Sequence, residues 1–279
     1  MQANRNIEAG DAQLIDDALE VAIEAARDAA HVIRESSGAL QDLEWVEKAS
    51  ADFVTEVDRG AESAITATIQ SAFADAVIVG EELTPEAILE SSALTFIVDP
   101  LDGTTNFLHD FPHFSVSIAV MHRRDLAAAV VLNVPRGDMF TATRGNGTRL
   151  NGEHVTVSSI DSTSRALIGT GFPFKNPELL ETYAKQFVAI SRHTAGVRRA
   201  GSAALDLADV ACGRFDGFWE LVLAPWDVAA GILLVREAGG IVTRLDGTPA
   251  QVEHGAYVAG NPSIHPWLIQ TIHNAASNT

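Results

Sequence analysis

Residues 96–107 read FIVDPLDGTTNF. Apolar residues run into Asp99, Pro100 follows, and Asp102, Gly103, Thr104 and Thr105 close the stretch. Carboxylates at the mouth of a buried strand are costly unless a cation or another partner compensates them. Pro100 biases Asp99 toward an extended conformation. Asp99 and Asp102 are then expected to point at one spot beyond the strand end, which the Leu101 carbonyl can also face. Hard cations such as Mg²⁺ take oxygen ligands of this kind, together with water and substrate phosphate. Gly103 permits a tight turn, and the threonines offer hydroxyl and amide donors to an anion, as a helix start does.

Outward from this stretch, apolar spacing predicts helices over 12–36 and 58–73 and strands over 76–80 and 94–98. The run 115–134 reads as two antiparallel strands joined by a tight turn at His122–Asp125. RGNGTRLNGE (144–153) is a hairpin connection, its glycine spacing being wrong for a dinucleotide loop. A strand near 166–170, helices over 177–192 and 202–212, and a strand over 216–220 follow. A helix over 225–238 starts on Pro225 and closes at Gly239–Gly240; a strand over 256–260 and a helix over 262–274 finish the chain. Strands and helices interleave, so the fold expected is α/β: a single layered domain over 1–279, with 1–11 a flexible leader. Two subdomains meeting at a cleft are the variant of this reading.

The chain has 279 residues, 47% hydrophobic and 20% charged, with a formal net charge of −18. That charge argues against nonspecific binding to nucleic acid or anionic membrane. No stretch reaches the roughly 18 apolar residues of a membrane span, and the N-terminus lacks a secretory h-region. One cysteine, Cys212, excludes an intrachain disulfide framework, which suits a cytoplasmic location.

Three other acidic stretches share the character of the first. IVGEEL (78–83) puts Glu81 and Glu82 just after a strand, APWDVAAGILL (224–234) puts Asp227 in the first turn of a helix, and DFVTEVD (52–58) puts Asp58 at a helix start. Singly, an aspartate at a helix start reads as a cap or dipole partner, and a glutamate pair as solvated. Together they gather at strand ends and helix starts, the edges that meet at ligand clefts in layered α/β folds. Cys212 reads as a small core residue, His109 and His113 as surface or lid packing rather than ligands, and Trp226 as an anchor for the helix carrying Asp227. Trp219 reads as core or contact surface, and Arg198 with Arg199 as an anion-attracting pair, a contact for a partner or subunit, or a plain strand-end pair.

DPLDGTTNF with WDVAAGILLVREAGG (226–240) resembles the two signature motifs of the inositol monophosphatases. DFVTEVD, GEE and GSAALDLADVACGRFDGFWE (201–220) match that family in order and nearly in spacing. The likeness covers roughly residues 12–270 and is strongest to the bacterial extragenic-suppressor type, through PHFSVSIAV, FTATRGNG and TGFPF. The resemblance implies an α-β-α-β-α sandwich of the type shared with fructose-1,6-bisphosphatase. It implies a Mg²⁺-dependent, lithium-sensitive, homodimeric phosphatase that hydrolyses inositol-1-phosphate by metal-activated water, with no covalent intermediate.

It also implies residue roles. Glu81, Asp99 and the Leu101 carbonyl would hold one Mg²⁺, and Asp99, Asp102 and Asp227 a second. A third, weaker ion would use Glu81 and water. The Gly103 and Thr104 amides would receive phosphate, and Asp58 with Thr104 would position and deprotonate the attacking water. Ala203 and Glu220 would touch the inositol ring, and Lys48 would lie near the metals. Two other activities stay open within the resemblance. One is the same chemistry on histidinol phosphate, 3′-phosphoadenosine 5′-phosphate, fructose 1,6-bisphosphate or NADP. The other is service as a transcription or ribosomal-RNA-processing partner. An aspartyl-nucleophile phosphatase of the haloacid-dehalogenase kind is disfavoured. Its DxD motif lies near the chain start, whereas two residues separate Asp99 from Asp102 here.

Overall fold

The apolar run 115–134 lies at the centre of the larger of two main sheets. The computed structural model describes residues 9–37, 46–49, 52–54, 56–86 and 94–277. Along these the elements are α1 (Ala9–Ser36), β1 (Val46–Ala49), β2 (Asp52–Val54), α2 (Glu56–Ala72), β3 (Val77–Gly80), β4 (Thr95–Asp102), α3 (Thr104–Leu108), β5 (Ser115–His122), β6 (Asp125–Asn133) and β7 (Met139–Thr143). They continue with β8 (Thr148–Leu150), β9 (Glu153–Val155), β10 (Leu167–Thr170), α4 (Leu180–Ser191), β11 (Gly196–Arg198), α5 (Ala203–Ala211) and β12 (Gly217–Leu223). The last are α6 (Pro225–Glu237), β13 (Ile241–Thr243), β14 (Gly255–Gly260) and α7 (Ile264–Ser277). Residues 1–8 of the expected leader lie outside the described residues, and α1 already includes 9–11.

The larger sheet has the order β3-β4-β5-β6-β7-β8-β9 and the smaller β11-β10-β12-β14-β13; β1 and β2 form a separate ribbon. Among the described residues, parallel pairing is confined to β3–β4 and to β10 with its neighbours β11 and β12. Three apolar clusters hold five layers together. Ile15, Ala22, Ala26, Ala30 and Ile33 of α1 pack with Ala61, Ile65 and Ile69 of α2 on one face of the large sheet. The alanines are small enough to let the two helices sit close together. Between the sheets, α5 and α6 fill the central layer. α6 is buried continuously from Val228 to Val235, which explains a helix that is apolar on every side. Beyond the small sheet, α4 and α7 pack on Trp219, Val258 and Ile168. The expected α-β-α-β-α sandwich is the architecture found.

The β5–β6 connection is the tight turn expected, with Arg123 and Arg124 at φ 52° and 69°. RGNGTRLNGE makes two turns rather than one. Residues 144–147 join β7 to β8, and Asn151–Gly152 (φ 52° and 87°) joins β8 to β9. The strand expected to end at residue 98 runs on to Asp102 through a bulge: Asp99 faces Ser117, Asp102 faces Ser115, and one extra residue lies between them. The bulge also explains how Pro100, which cannot donate to a ladder, sits in an interior strand. No helix among the described residues is long and apolar enough to cross a membrane.

Candidate active site

The ends of β3, β4 and β12 and the starts of α3, α5 and α6 converge on one cavity of about 530 Å³. Every residue assigned to the site from sequence lines it except Asp58, which stands behind Thr104, and Lys48, whose side chain lies outside the described residues. Asp58 is buried in the first turn of α2, and its Oδ1 accepts the Thr104 hydroxyl at 3.0 Å. The same hydroxyl lies 3.1 Å from the Leu101 carbonyl. One hydroxyl proton thus serves two acceptors, one of them a carboxylate.

Asp99 and Asp102 are held differently. Asp99 Oδ1 accepts the Leu101 N–H at 3.0 Å. Burial, then the charges of Glu81, Asp102 and Asp227, push its carboxyl well above the ordinary carboxylate range. Asp102 reaches across to the start of α5, where its Oδ2 accepts from the Ala204 N–H at 2.8 Å and the Ser202 hydroxyl at 2.5 Å. Burial raises its pKa, and these bonds pull it back. Ser202 caps α5 as well, accepting from the Leu205 N–H. Asp227 Oδ2 accepts the Ala224 N–H at 2.6 Å in the first turn of α6.

Gly103 joins β4 to α3 at φ 96°, where any Cβ would stand 3.2 Å from both the Gly201 and the His113 carbonyls. Only glycine combines that conformation with that approach. Asn106 secures the same junction. Its Nδ2 donates to His113 O at 2.6 Å and Ala200 O at 2.9 Å, tying the turn on the large sheet to the start of α5. On the opposite wall, the Glu220 carboxyl is pushed up by burial first and by Asp227 next, with Arg199 opposing. Gly171 makes room for it, because a Cβ there would collide with that carboxyl.

Asp102 and Asp227 are turned onto backbone N–H groups. Among the described residues, no three His, Cys, Asp or Glu side chains form a ready chelate. The donor set nonetheless suits a hard divalent ion. It consists of carboxylates and one carbonyl, and such ions complete their shells with water and phosphate. A cation amid Glu81, Asp99 and Asp227 would also offset the repulsion that raises Asp99.

A profile of the inositol monophosphatase family matches residues 15–277. The chain belongs to the inositol monophosphatase family. Among its relatives, "Nus factor SuhB" of Pseudomonas aeruginosa is 46% identical over 257 residues, 91% of this chain and 95% of that protein. The extragenic suppressor protein suhB from Bartonella henselae has the same fold at TM-score 0.87 and 39% identity, over 92% of this chain and 98% of that one. An IMPase of Thermotoga maritima aligns at TM-score 0.84 and 32% identity, over 93% and 98%.

Sequence reading missed several contributors. Ser202, Ser115 and Asn106 act through hydrogen bonds to parts of the chain far away in sequence, so no local pattern marks them. Asp206 of α5 lines the cavity, 1% exposed, with Oδ1 lacking a hydrogen-bond partner. Trp219 is core, stacked on Tyr183 at 5.9 Å, and is not a contact surface. Cys212 lies just past α5, half-buried. Arg199 lines the cavity with its guanidinium 4.7 Å from the Phe174 ring centre, while Arg198 does not line it. His109 and His113 lie outside the cavity wall, and His254 forms part of it.

Proposed function

We propose that the chain is a Mg²⁺-dependent phosphatase that hydrolyses inositol-1-phosphate to inositol and phosphate. The observation that carries this reading is one cavity lined by Glu81, Asp99, Leu101, Asp227 and Glu220 together with Thr104, whose hydroxyl is held by the buried Asp58. Glu81, Asp99 and Leu101 O would hold one ion and Asp99, Asp102 and Asp227 a second, with Glu81 and water serving a weaker third. Bound there, Mg²⁺ would supply Lewis-acid stabilisation of charge and lower the pKa of water. The Gly103 and Thr104 N–H groups, at the open start of α3, receive the phosphoryl oxygens. Asp58 accepts the Thr104 hydroxyl proton, which leaves the Thr104 oxygen free to accept from the attacking water and draw off its proton. Glu220 accepts from a ring hydroxyl beside Ala203, and a compact polyol fits a cavity of this size. The whole chain acts as one domain, because residues from both sheets build the site.

The test is phosphate release from inositol-1-phosphate, histidinol phosphate, 3′-phosphoadenosine 5′-phosphate, fructose 1,6-bisphosphate and NADP. It is run with Mg²⁺, with EDTA and with Asp102→Asn. Mg²⁺-dependent turnover of inositol-1-phosphate, lost in the variant, is expected. Preference for another ester would keep the chemistry and change the substrate. A transcription-machinery partner role is the second reading, supported by the Nus factor name of the Pseudomonas relative. Binding to transcription proteins that survives Asp102→Asn would separate that role from catalysis. A homodimer and lithium inhibition complete the proposal. A monomer in sedimentation at micromolar concentration, or turnover indifferent to lithium, would count against them.

A further inference from the structure

Glu62 is fully buried on α2, one helical turn beyond Asp58. Its carboxylate accepts two consecutive backbone N–H groups, Glu82 N at 2.7 Å and Leu83 N at 3.0 Å. The preceding N–H, that of Glu81, is fixed on the Val98 carbonyl of β4 at 3.2 Å. Three successive amides around Glu81 are therefore tied down, two of them by one side chain. Gly80 completes the arrangement: a Cβ there would collide with the Glu62 carboxylate. A carboxylate removed from water needs charge-assisted bonds of this kind to offset its desolvation.

We infer that Glu62 is a positioning residue that sets the Glu81 carboxylate at the Mg²⁺ site. Because α2 also carries Asp58, one rigid helix fixes both the acceptor for Thr104 and the turn that presents Glu81. The distance between the water-activating pair and the metal ligand is thus set by one helical turn. This inference rests on the reading of Glu81 as a Mg²⁺ ligand.

The experiment is calorimetric titration of the full chain with Mg²⁺ alone, for wild type, Glu62→Ala, Glu62→Gln and Gly80→Ala, with thermal unfolding alongside. Loss of an outer-shell partner typically weakens metal binding about 10–100-fold. Glu62→Ala is therefore expected to weaken Mg²⁺ binding at least about tenfold. Glu62→Gln, which keeps one acceptor oxygen, should fall between it and wild type. A staple with no link to the metal would lower the unfolding temperature and leave affinity alone. Folded Glu62→Ala with wild-type Mg²⁺ affinity would overturn the inference. If Glu62→Ala does not fold, Glu62→Gln and Gly80→Ala decide it, weakened binding in both supporting it and wild-type affinity in both overturning it. Wild-type protein that takes up no Mg²⁺ would overturn the site reading itself, and the role of Glu62 with it.

Discussion

Asn106→Ala severs the junction between the phosphate-cradle turn and the start of α5. The side chain gives its two amide hydrogens to His113 O and Ala200 O at 2.6 and 2.9 Å, and a third carbonyl, Gly201 O, lies at 3.3 Å. Each acceptor left unsatisfied in a buried setting costs about 1–3 kcal/mol. The site is only partly buried, so water recovers some of this, and a net loss of roughly 2–4 kcal/mol is expected. At about 2–4 °C per kcal/mol, the unfolding midpoint should fall by roughly 4–16 °C. The same change frees Gly103 and Thr104 from the α5 side of the cavity. Inhibition by inorganic phosphate should therefore weaken along with stability. Differential scanning calorimetry and phosphate inhibition of turnover measure the two effects. A midpoint within about 2 °C of wild type, with unchanged phosphate inhibition, would refute the view of Asn106 as the latch of the cradle.

Gly231→Ala should destabilise despite a gain in helix propensity of up to about 1 kcal/mol, because its Cβ would lie 2.6 Å from the Leu207 Cβ in the central layer. The net loss expected in urea unfolding is about 1–2 kcal/mol, and Leu207→Ala, which removes Cγ and Cδ1 but keeps Cβ, should relieve only part of the crowding in the double variant. Asp58→Asn should lower kcat about 10²–10⁴-fold while leaving calorimetric Mg²⁺ affinity within a few fold; lost affinity would move Asp58 into the metal shell. His113 and His265 are both pushed below the ordinary histidine value of 6.5 by burial. The unfolded chain takes up their protons before the folded one does, so stability is full above pH 6.5 and declines as pH falls below it. His265→Gln should flatten the fall of the thermal midpoint between pH 7 and 5.5, and an unchanged slope would exclude it as a contributor.

The layers were legible in sequence because each layer has its own periodicity. α1 and α2 show a one-sided apolar stripe, α6 an all-round apolar run, and 115–134 two buried strands. The short strands β1, β2, β7, β8, β9, β11 and β13 escaped, since three to five residues carry too little pattern and depend on their partners. The Asp99–Asp102 bulge escaped for a related reason. Pro100 argues for the end of a strand unless the extra residue opposite Ser115 and Ser117 is known. The carboxylates themselves stood out, being expensive at such positions without a function. Asn106, Ser202 and Glu62 did not, because their partners become neighbours only when the chain is folded.

Asp102 meets Ser202 and Ala204 across a gap of about a hundred residues. At roughly 5–20 residues per second, the ribosome needs about 5–20 s to deliver the second half of that contact after the first has been made. Throughout that interval Asp102 lacks its Ser202 and Ala204 bonds, and Asp99 lacks the Asp227 charge that helps to raise it in the finished protein. The nascent chain therefore carries Glu81, Asp99 and Asp102 long before it carries the site. A fragment ending at β9 should bind Mg²⁺ no better than a solvated acidic peptide does.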